Sequence, residues 1–193
     1  MPELNRRYVV MAMATEAPFD PSDPEGVFVL KPWKDPAALR ALAAYRGVAR
    51  RQEWVGEALG YRIFDDYAHH PSEIRATLEM FLALYGPPVT VAFQPHLYSR
   101  TAHFAEEFAR ALSLATRVFV TEVYAAREAP IPGVSGRTIV ERMAGHPAAR
   151  FLPDWRALPA LLARERGPGG ILLTLGAGDI TGLGPLLVKA GER

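Results

Sequence analysis

The stretch Asp65-Asp66-Tyr67-Ala68-His69-His70-Pro71 places two carboxylates, a phenol and two imidazoles directly ahead of a proline, in a chain that holds only five histidines. Three chemistries fit that composition. The acids and histidines could hold a divalent ion together with His96 or His103, since neutral imidazole and carboxylate are ordinary ligands for zinc or manganese. They could form an acid/base pair. They could also be a strand end and a helix cap, polar because caps are polar. Against a shared ion, adjacent residues leaving a strand point in different directions, and the sequence offers neither a His-Glu-x-x-His helix nor a cysteine to complete a site. A second cluster, Gln94–Thr101, carries His96, Tyr98 and Arg100 within five residues. An arginine at a helix entrance can hold a carboxylate through two parallel hydrogen bonds, backed by the free amides of the first turn. A solvated arginine beside a cap is the plainer alternative. The third cluster, Gly176-Ala177-Gly178-Asp179, has the glycine density of a phosphate loop but not the G-x-G-x-x-G spacing. No G-x-x-x-x-G-K-[ST] occurs, so these residues contain no Walker-type cradle for ATP. Arg50 and Arg51, paired ahead of a hairpin, could reach a phosphate or simply carry surface charge.

Such groups act only if a frame brings them together. The chain has 193 residues, 49% hydrophobic and 22% charged, with a net charge of +1, enough for one α/β domain and a short appendage. That balance gives no reason to expect nucleic acid or an anionic membrane as a partner. The absence of cysteine excludes disulfides and thiolate metal sites and agrees with a reducing cytoplasm, the expected location. No apolar run approaches the roughly 20 residues that span a bilayer. Arg6-Arg7 followed by Tyr8–Met13 falls at the short edge of the roughly 7–15 apolar residues of a signal peptide.

Residues 1–36 are proline-rich, with short strands conceivable at Val9–Met11 and Val27–Leu30, and Ala37–Tyr45 reads as a helix stopped by Gly47. Glu53–Val55 and Tyr61–Asp66 read as a hairpin across a glycine-bounded turn. Val89–Phe93, Val118–Val123 and Ile171–Leu175 have the length and β-branching of buried strands, with Ala149–Leu152 a further short one. Helices are expected over Pro71–Leu84, through Phe104, Phe108 and Leu112 with Ser99 or Thr101 as cap, over Thr138–Ala144, and over Trp155–Arg164 with Asp154 as N-cap. Strands alternating with helices under right-handed crossovers give a mostly parallel sheet covered on both faces. Ligands of such sheets bind beyond the carboxyl ends of the strands, and the polar clusters follow four successive strands to that edge.

Taken in order, GVARRQE, DDYAHHPSEIRATL, FQPHLYSRT, EVYAAREAPIPGVSG and LLTLGAGDI resemble the C-terminal third of the Mur ligases of peptidoglycan synthesis, from about Asp35 to the C-terminus. FQPHLYSRT and PIPGVSG are similar to the alanine-adding member of that family. The resemblance implies residues 48–193 to be a Rossmann-like, amino-acid-binding domain. Residues 1–47 would be an N-terminal extension, a remnant or replacement of the end of the central ATPase domain. It implies a cell-wall reaction in which ATP and Mg2+ activate the carboxylate of UDP-N-acetylmuramate as an acyl phosphate, which the amine of L-alanine attacks. Developing charge there calls for cations and oriented dipoles, and domain closure supplies proximity. Tyr67, His69, His96 and Arg100 would surround L-alanine, Arg100 holding its carboxylate. Arg51 would approach the ATP phosphates, with Asp66, His70 and Asp179 also on the nucleotide side. No catalytic residue or metal ligand is assigned to this chain; ATP and Mg2+ would be held by the complete ligase, whose other domains could act in trans, and the 193 residues alone would be inactive.

The sequence also departs from the family pattern. Leu97 and Ala102 stand where the family typically has arginine, Ala126-Arg127-Glu128 where it has Ala-Gly-Glu, and Gln52 where it has an aromatic residue. A lost charge-assisted hydrogen bond would weaken alanine binding by about 1.5–3 kcal/mol. Two other readings follow: a degenerate, non-catalytic binding or regulatory module, and a metal-dependent hydrolase built on Asp65, His69 and His96.

Overall fold

Continuous apolar strands and amphipathic helices assemble here as one six-stranded sheet between two helical layers. The computed structural model describes residues 48–191 except 166 and 168. The strands expected at Val9–Met11 and Val27–Leu30 and the helix over Ala37–Tyr45 lie outside the described residues. In chain order the elements are β1 (Glu53–Ala58), β2 (Tyr61–Asp66), α1 (Pro71–Tyr85), β3 (Val89–Phe93), α2 (Tyr98–His103), α3 (Ala105–Leu112), β4 (Arg117–Val120), α4 (Gly136–Arg142) and β5 (Ala149–Phe151). A 3-10 turn (Trp155–Ala157) leads into α5 (Leu158–Glu165), β6 (Gly170–Leu175), a second 3-10 turn (Asp179–Gly182) and α6 (Leu183–Gly191). The sheet order is β1-β2-β6-β3-β4-β5, parallel throughout except for the antiparallel β1–β2 hairpin. That hairpin turns at Leu59 and Gly60, with φ of 53° and 80°, the left-handed pair that matches the twist of the strands it joins.

The buried strands read as unbroken hydrophobic runs because each is covered twice. Successive side chains alternate between faces, so Val118 and Phe119, or Leu172 and Leu173, enter different cores. One core packs Phe64, Val91, Phe93, Val120 and Leu173 against Ile74 and Leu78 of α1, Phe108 and Leu112 of α3 and Ile139 of α4. The other packs Ile63, Ala92, Phe119 and Leu172 against Trp155, Leu158, Leu162, Leu183 and Leu187. Among the described residues no helix is long and apolar enough to cross a membrane.

Two expectations need correction. The third strand stops at Val120 rather than Val123, because the Glu122 amide turns away to the Pro153 carbonyl and the Val123 amide to the Glu122 carboxylate. Neither Ser99 nor Thr101 caps a helix through Leu112. Both sit inside α2, whose N-cap position is Leu97, and Phe104 at φ −109° and ψ 18° separates α2 from α3.

Phe108 is fully buried, 5.2 Å from the Phe93 ring, whereas Leu186 is 39% exposed. Phe108→Ala is therefore expected to destabilise the protein by about 3–5 kcal/mol, and Leu186→Ala by no more than about 0.5 kcal/mol. Urea unfolding midpoints of the two variants check this contrast.

Candidate functional site

Parallel strands end on one edge, so the residues after β2, β3, β4 and β6 share a surface. Strand β6 lies between β2 and β3, yet its chain continues toward α6 on one face while theirs continue toward helices on the other. Such divergence opens a crevice where open α/β sheets bind ligands. Here the protein's own side chains enter it. Arg50, itself at φ 57°, donates from Nε to Asp65 Oδ2 at 3.1 Å and from Nη2 to the Gly176 carbonyl at 2.6 Å. Asp65 also accepts the hydroxyls of Thr174 and Thr181. On the other side of β6, Gln94 donates to Asp179 Oδ1 at 2.7 Å and accepts the Ile180 amide at 3.1 Å. A Cβ at Gly178 would lie 2.2 Å from Gln94 Oε1 and 2.7 Å from the Tyr124 ring. The glycine serves close packing of loop on loop.

At the end of β2, Asp66 is buried to 1% exposure and its carboxylate is filled by the protein. Oδ1 accepts the Ala68 amide at 2.8 Å, and Oδ2 accepts the Gln52 amide at 3.2 Å, the Gln52 side-chain amide and the Thr77 hydroxyl. The two histidines then diverge. His70 is the N-cap of α1: its Nδ1 accepts the Ser72 amide while the Glu73 carboxylate returns to the His70 amide, a capping box with Pro71 in the first turn. Its ring packs edge-on against Phe104 at 4.9 Å. His69 Nδ1 instead faces two acceptors, the Tyr67 carbonyl at 3.1 Å and Glu73 at 3.2 Å, so Nδ1 carries the proton. Burial alone would raise the Glu73 carboxyl, but the His69 and His70 amides and the charges of His69 and Arg51 hold it below its usual 4.5.

A ladder of rings runs from there across the strand ends. Tyr67 meets His69 at 5.2 Å, His69 meets His96 at 6.0 Å, and His96 stacks on Tyr124 at 5.8 Å with 17° between planes. The guanidinium of exposed Arg51 lies 5.8 Å over the Tyr67 ring. His96 and Tyr124 are held by a parallel bridge that resumes β3–β4 pairing beyond the strands. Burial, reinforced by the charges of Arg100 and His69 against the opposing pull of Glu128, lowers the pKa of His96 below 6.5 and favours the neutral ring. Among the described residues, four buried side-chain atoms have no hydrogen-bond partner, and two of them, His96 Nδ1 just ahead of α2 and Arg100 Nη1 within it, belong to this one segment. Native proteins seldom leave such atoms unsatisfied without a use for them. The charge of Arg100 is felt at His96, so the two groups lie near one another at this strand end.

The structure thus gathers Tyr67, His69 and His96 on one wall, with Arg100 beside His96 and Arg51 over Tyr67. Asp66 and His70 face inward as ties and caps. Asp179 is joined to Gln94, Trp155 and Arg156; burial alone would raise its carboxyl, but those hydrogen bonds hold it below 3.8. The hydrolase reading loses its carboxylate, since Asp65 is occupied by Arg50 and two threonines, and among the described residues no three histidines or acids group as metal ligands. Sequence reasoning passed over Glu73, Gln94 and Tyr124, and read Arg50 as a phosphate contact or surface charge where it is instead bound to Asp65 and the Gly176 carbonyl. Each acts through a contact distant in sequence or by capping, and only Glu73, three residues after a cap, carried a local signal.

Residues 50–178 match the family model described as Mur ligase, glutamate ligase domain. The chain is 50% identical over 157 residues to the UDP-N-acetylmuramate–L-alanine ligase of Mycobacteroides abscessus, covering 79% of this chain and 32% of that protein. It is 52% identical over 151 residues to the ligase of the same name from Mycolicibacterium smegmatis, covering 77% and 31%. The crystal structure of a UDP-N-acetylmuramate-alanine ligase from Thermotoga maritima superposes with a TM-score of 0.64 at 29% identity, over 83% of this chain and 34% of that one. The chain therefore spans about a third of the length of the ligases it matches.

The lowered pKa of His96 has a defined sign. Folding favours its neutral form, so its contribution to stability is complete above the unfolded value of 6.5 and is lost as pH falls through the lower folded value. Glu73 adds a similar loss only as pH falls below 4.5. The urea midpoint should drop between pH 7.5 and 5.5 in the wild type and drop less in His96→Gln, which has no proton to take up.

Proposed function

From a chain that belongs to the Mur ligase family, we propose that residues 48–193 act as the C-terminal, amino-acid-binding domain of a UDP-N-acetylmuramate–L-alanine ligase, receiving L-alanine at the wall built from Tyr67, His69, His96 and Arg100. The observation that carries the reading is the pair of unsatisfied buried atoms, His96 Nδ1 ahead of α2 and Arg100 Nη1 within it; on this reading an incoming carboxylate satisfies both. Arg100 supplies the charge, and His96, neutral at pH 7, supplies a polar contact without adding a second cation. The ring ladder gives the small amino acid a close-fitting side.

ATP, when bound in the complete ligase, activates the sugar carboxylate that the alanine amine attacks. The part of this domain that fits a polyphosphate is Arg51, exposed over Tyr67, and the packed Gly176–Asp179 loop is not a cradle for one. The carboxylates of Asp65 and Asp66 are filled by protein donors, so Mg2+ is assigned to other parts of the ligase. On this reading the phosphate loop and the UDP-sugar site lie outside these residues, and the chain ligates only in their company, in cis or in trans.

L-Alanine titrated into the protein should shift the amide and imidazole signals of residues 67–69 and 96–100. Arg100→Ala should weaken that binding by roughly 10- to 150-fold, the equivalent of one charge-assisted contact of about 1.5–3 kcal/mol. Arg137→Ala, a cation over the Phe151 ring on α4, should leave it unchanged. A wild-type chain that ignores L-alanine but binds another protein would instead favour the non-catalytic module that Leu97 and Ala102 bring to mind.

A further inference from the structure

Helix α2 has only six residues, and its own N-cap offers nothing: Leu97 is apolar, lies at φ 73° and makes no side-chain cap. The missing cap comes from the loop after β4. Glu128 Oε2 accepts the Ser99 amide at 2.9 Å, and Oε1 accepts the Ser99 hydroxyl. That loop is itself fixed. The Glu128 amide bonds the Ala125 carbonyl at 2.9 Å across left-handed Ala126, at φ 51°, and the Leu97 amide bonds the Tyr124 carbonyl at 3.0 Å. The Tyr124 amide in turn bonds the Pro95 carbonyl at 2.8 Å. One residue beyond Ser99 stands Arg100, with Nη1 buried and without a partner.

We infer that Glu128 is a positioning residue for the carboxylate site, fixing the start of α2 from outside the helix so that Arg100 and His96 present to the same ligand. The division of contacts matters. Both Glu128 oxygens are taken by Ser99, and among the described residues no ion pair joins Glu128 to Arg100. Arg100 therefore keeps its donors for an incoming anion. Glu128 also acts through space on the neighbouring imidazole: burial, Arg100 and His69 lower the proton affinity of His96, and Glu128 works against them. The identity of the ligand rests on the alanine-pocket reading; the capping geometry does not.

Full-length Glu128→Ala and Glu128→Gln test this, with Glu141→Ala, an exposed acid on α4, as control. Glu128→Ala should speed hydrogen exchange of the Ser99 amide at least tenfold, lower the NMR titration midpoint of His96 and weaken L-alanine binding at least tenfold. Glu128→Gln keeps an oxygen for the Ser99 amide but no charge, so it should restore protection while the His96 midpoint stays low. If Glu128→Ala fails to fold, the midpoint in Glu128→Gln decides. Ser99 exchange and His96 titration unchanged from wild type in both variants would overturn the inference, as would faster exchange with undiminished alanine affinity. If the wild type itself binds no L-alanine, the pocket reading falls while exchange and titration still decide the role of Glu128.

Discussion

The guanidinium of Arg50, lodged against the Asp65 carboxylate and the carbonyls of Gly176 and Gly178, is the contact on which the active edge depends. Asp65 is 3% exposed at its side chain, so removing Arg50 would strand its charge in a poorly solvated place, a loss of about 3–5 kcal/mol in comparable buried pairs. Its reach exceeds its energy. It joins residues ahead of β1 to the end of β2 and to the loop after β6, and the Arg50 carbonyl takes the Tyr67 amide at 2.8 Å. Gln52, also left-handed, ties to Asp66 in the same way. Arg51, between these two anchored residues, is left outside over Tyr67.

Much of this was legible in the residues. Alternation of β-branched runs with amphipathic helices gives the sheet and its two layers, because strands buried on both faces need apolar residues at every position. The motif order gives the edge at which the site lies. What escaped the sequence was mainly direction and partnership. Asp65 and Asp66 are adjacent acids, yet one receives Arg50 and two threonines while the other closes a turn on Gln52 and Ala68. Nothing local distinguishes them, since their partners are up to 116 residues away. Gly176–Asp179 looked like a phosphate loop because glycines that permit backbone to approach backbone and glycines that permit backbone to approach phosphate have the same composition.

Charge on the edge is partitioned. The acids are each taken by a designated donor: Asp65 by Arg50, Asp179 by Gln94 and Arg156, Glu73 by two amides of the histidine turn, and Glu128 by Ser99. Among the described residues, the basic groups left with a buried, unpartnered nitrogen are His96 and Arg100, and of the two the guanidinium carries the charge. A surface with nearly balanced composition thereby presents a local demand for an anion, a property of arrangement that net charge does not report.

The paired histidines bear on which residues could replace them. Neutral His70 keeps its proton on Nε2 because Nδ1 accepts the Ser72 amide, while His69 keeps its proton on Nδ1 because a carbonyl and a carboxylate face that atom. Position 70 therefore needs a single acceptor close to the backbone, which the short side chain of asparagine, aspartate or serine also supplies. Position 69 needs a near donor on a ring that also meets Tyr67 and His96, which a short capping side chain does not supply. Two identical neighbours thus differ in exchangeability: position 70 admits several short caps, whereas position 69 asks for a ring as well as a donor.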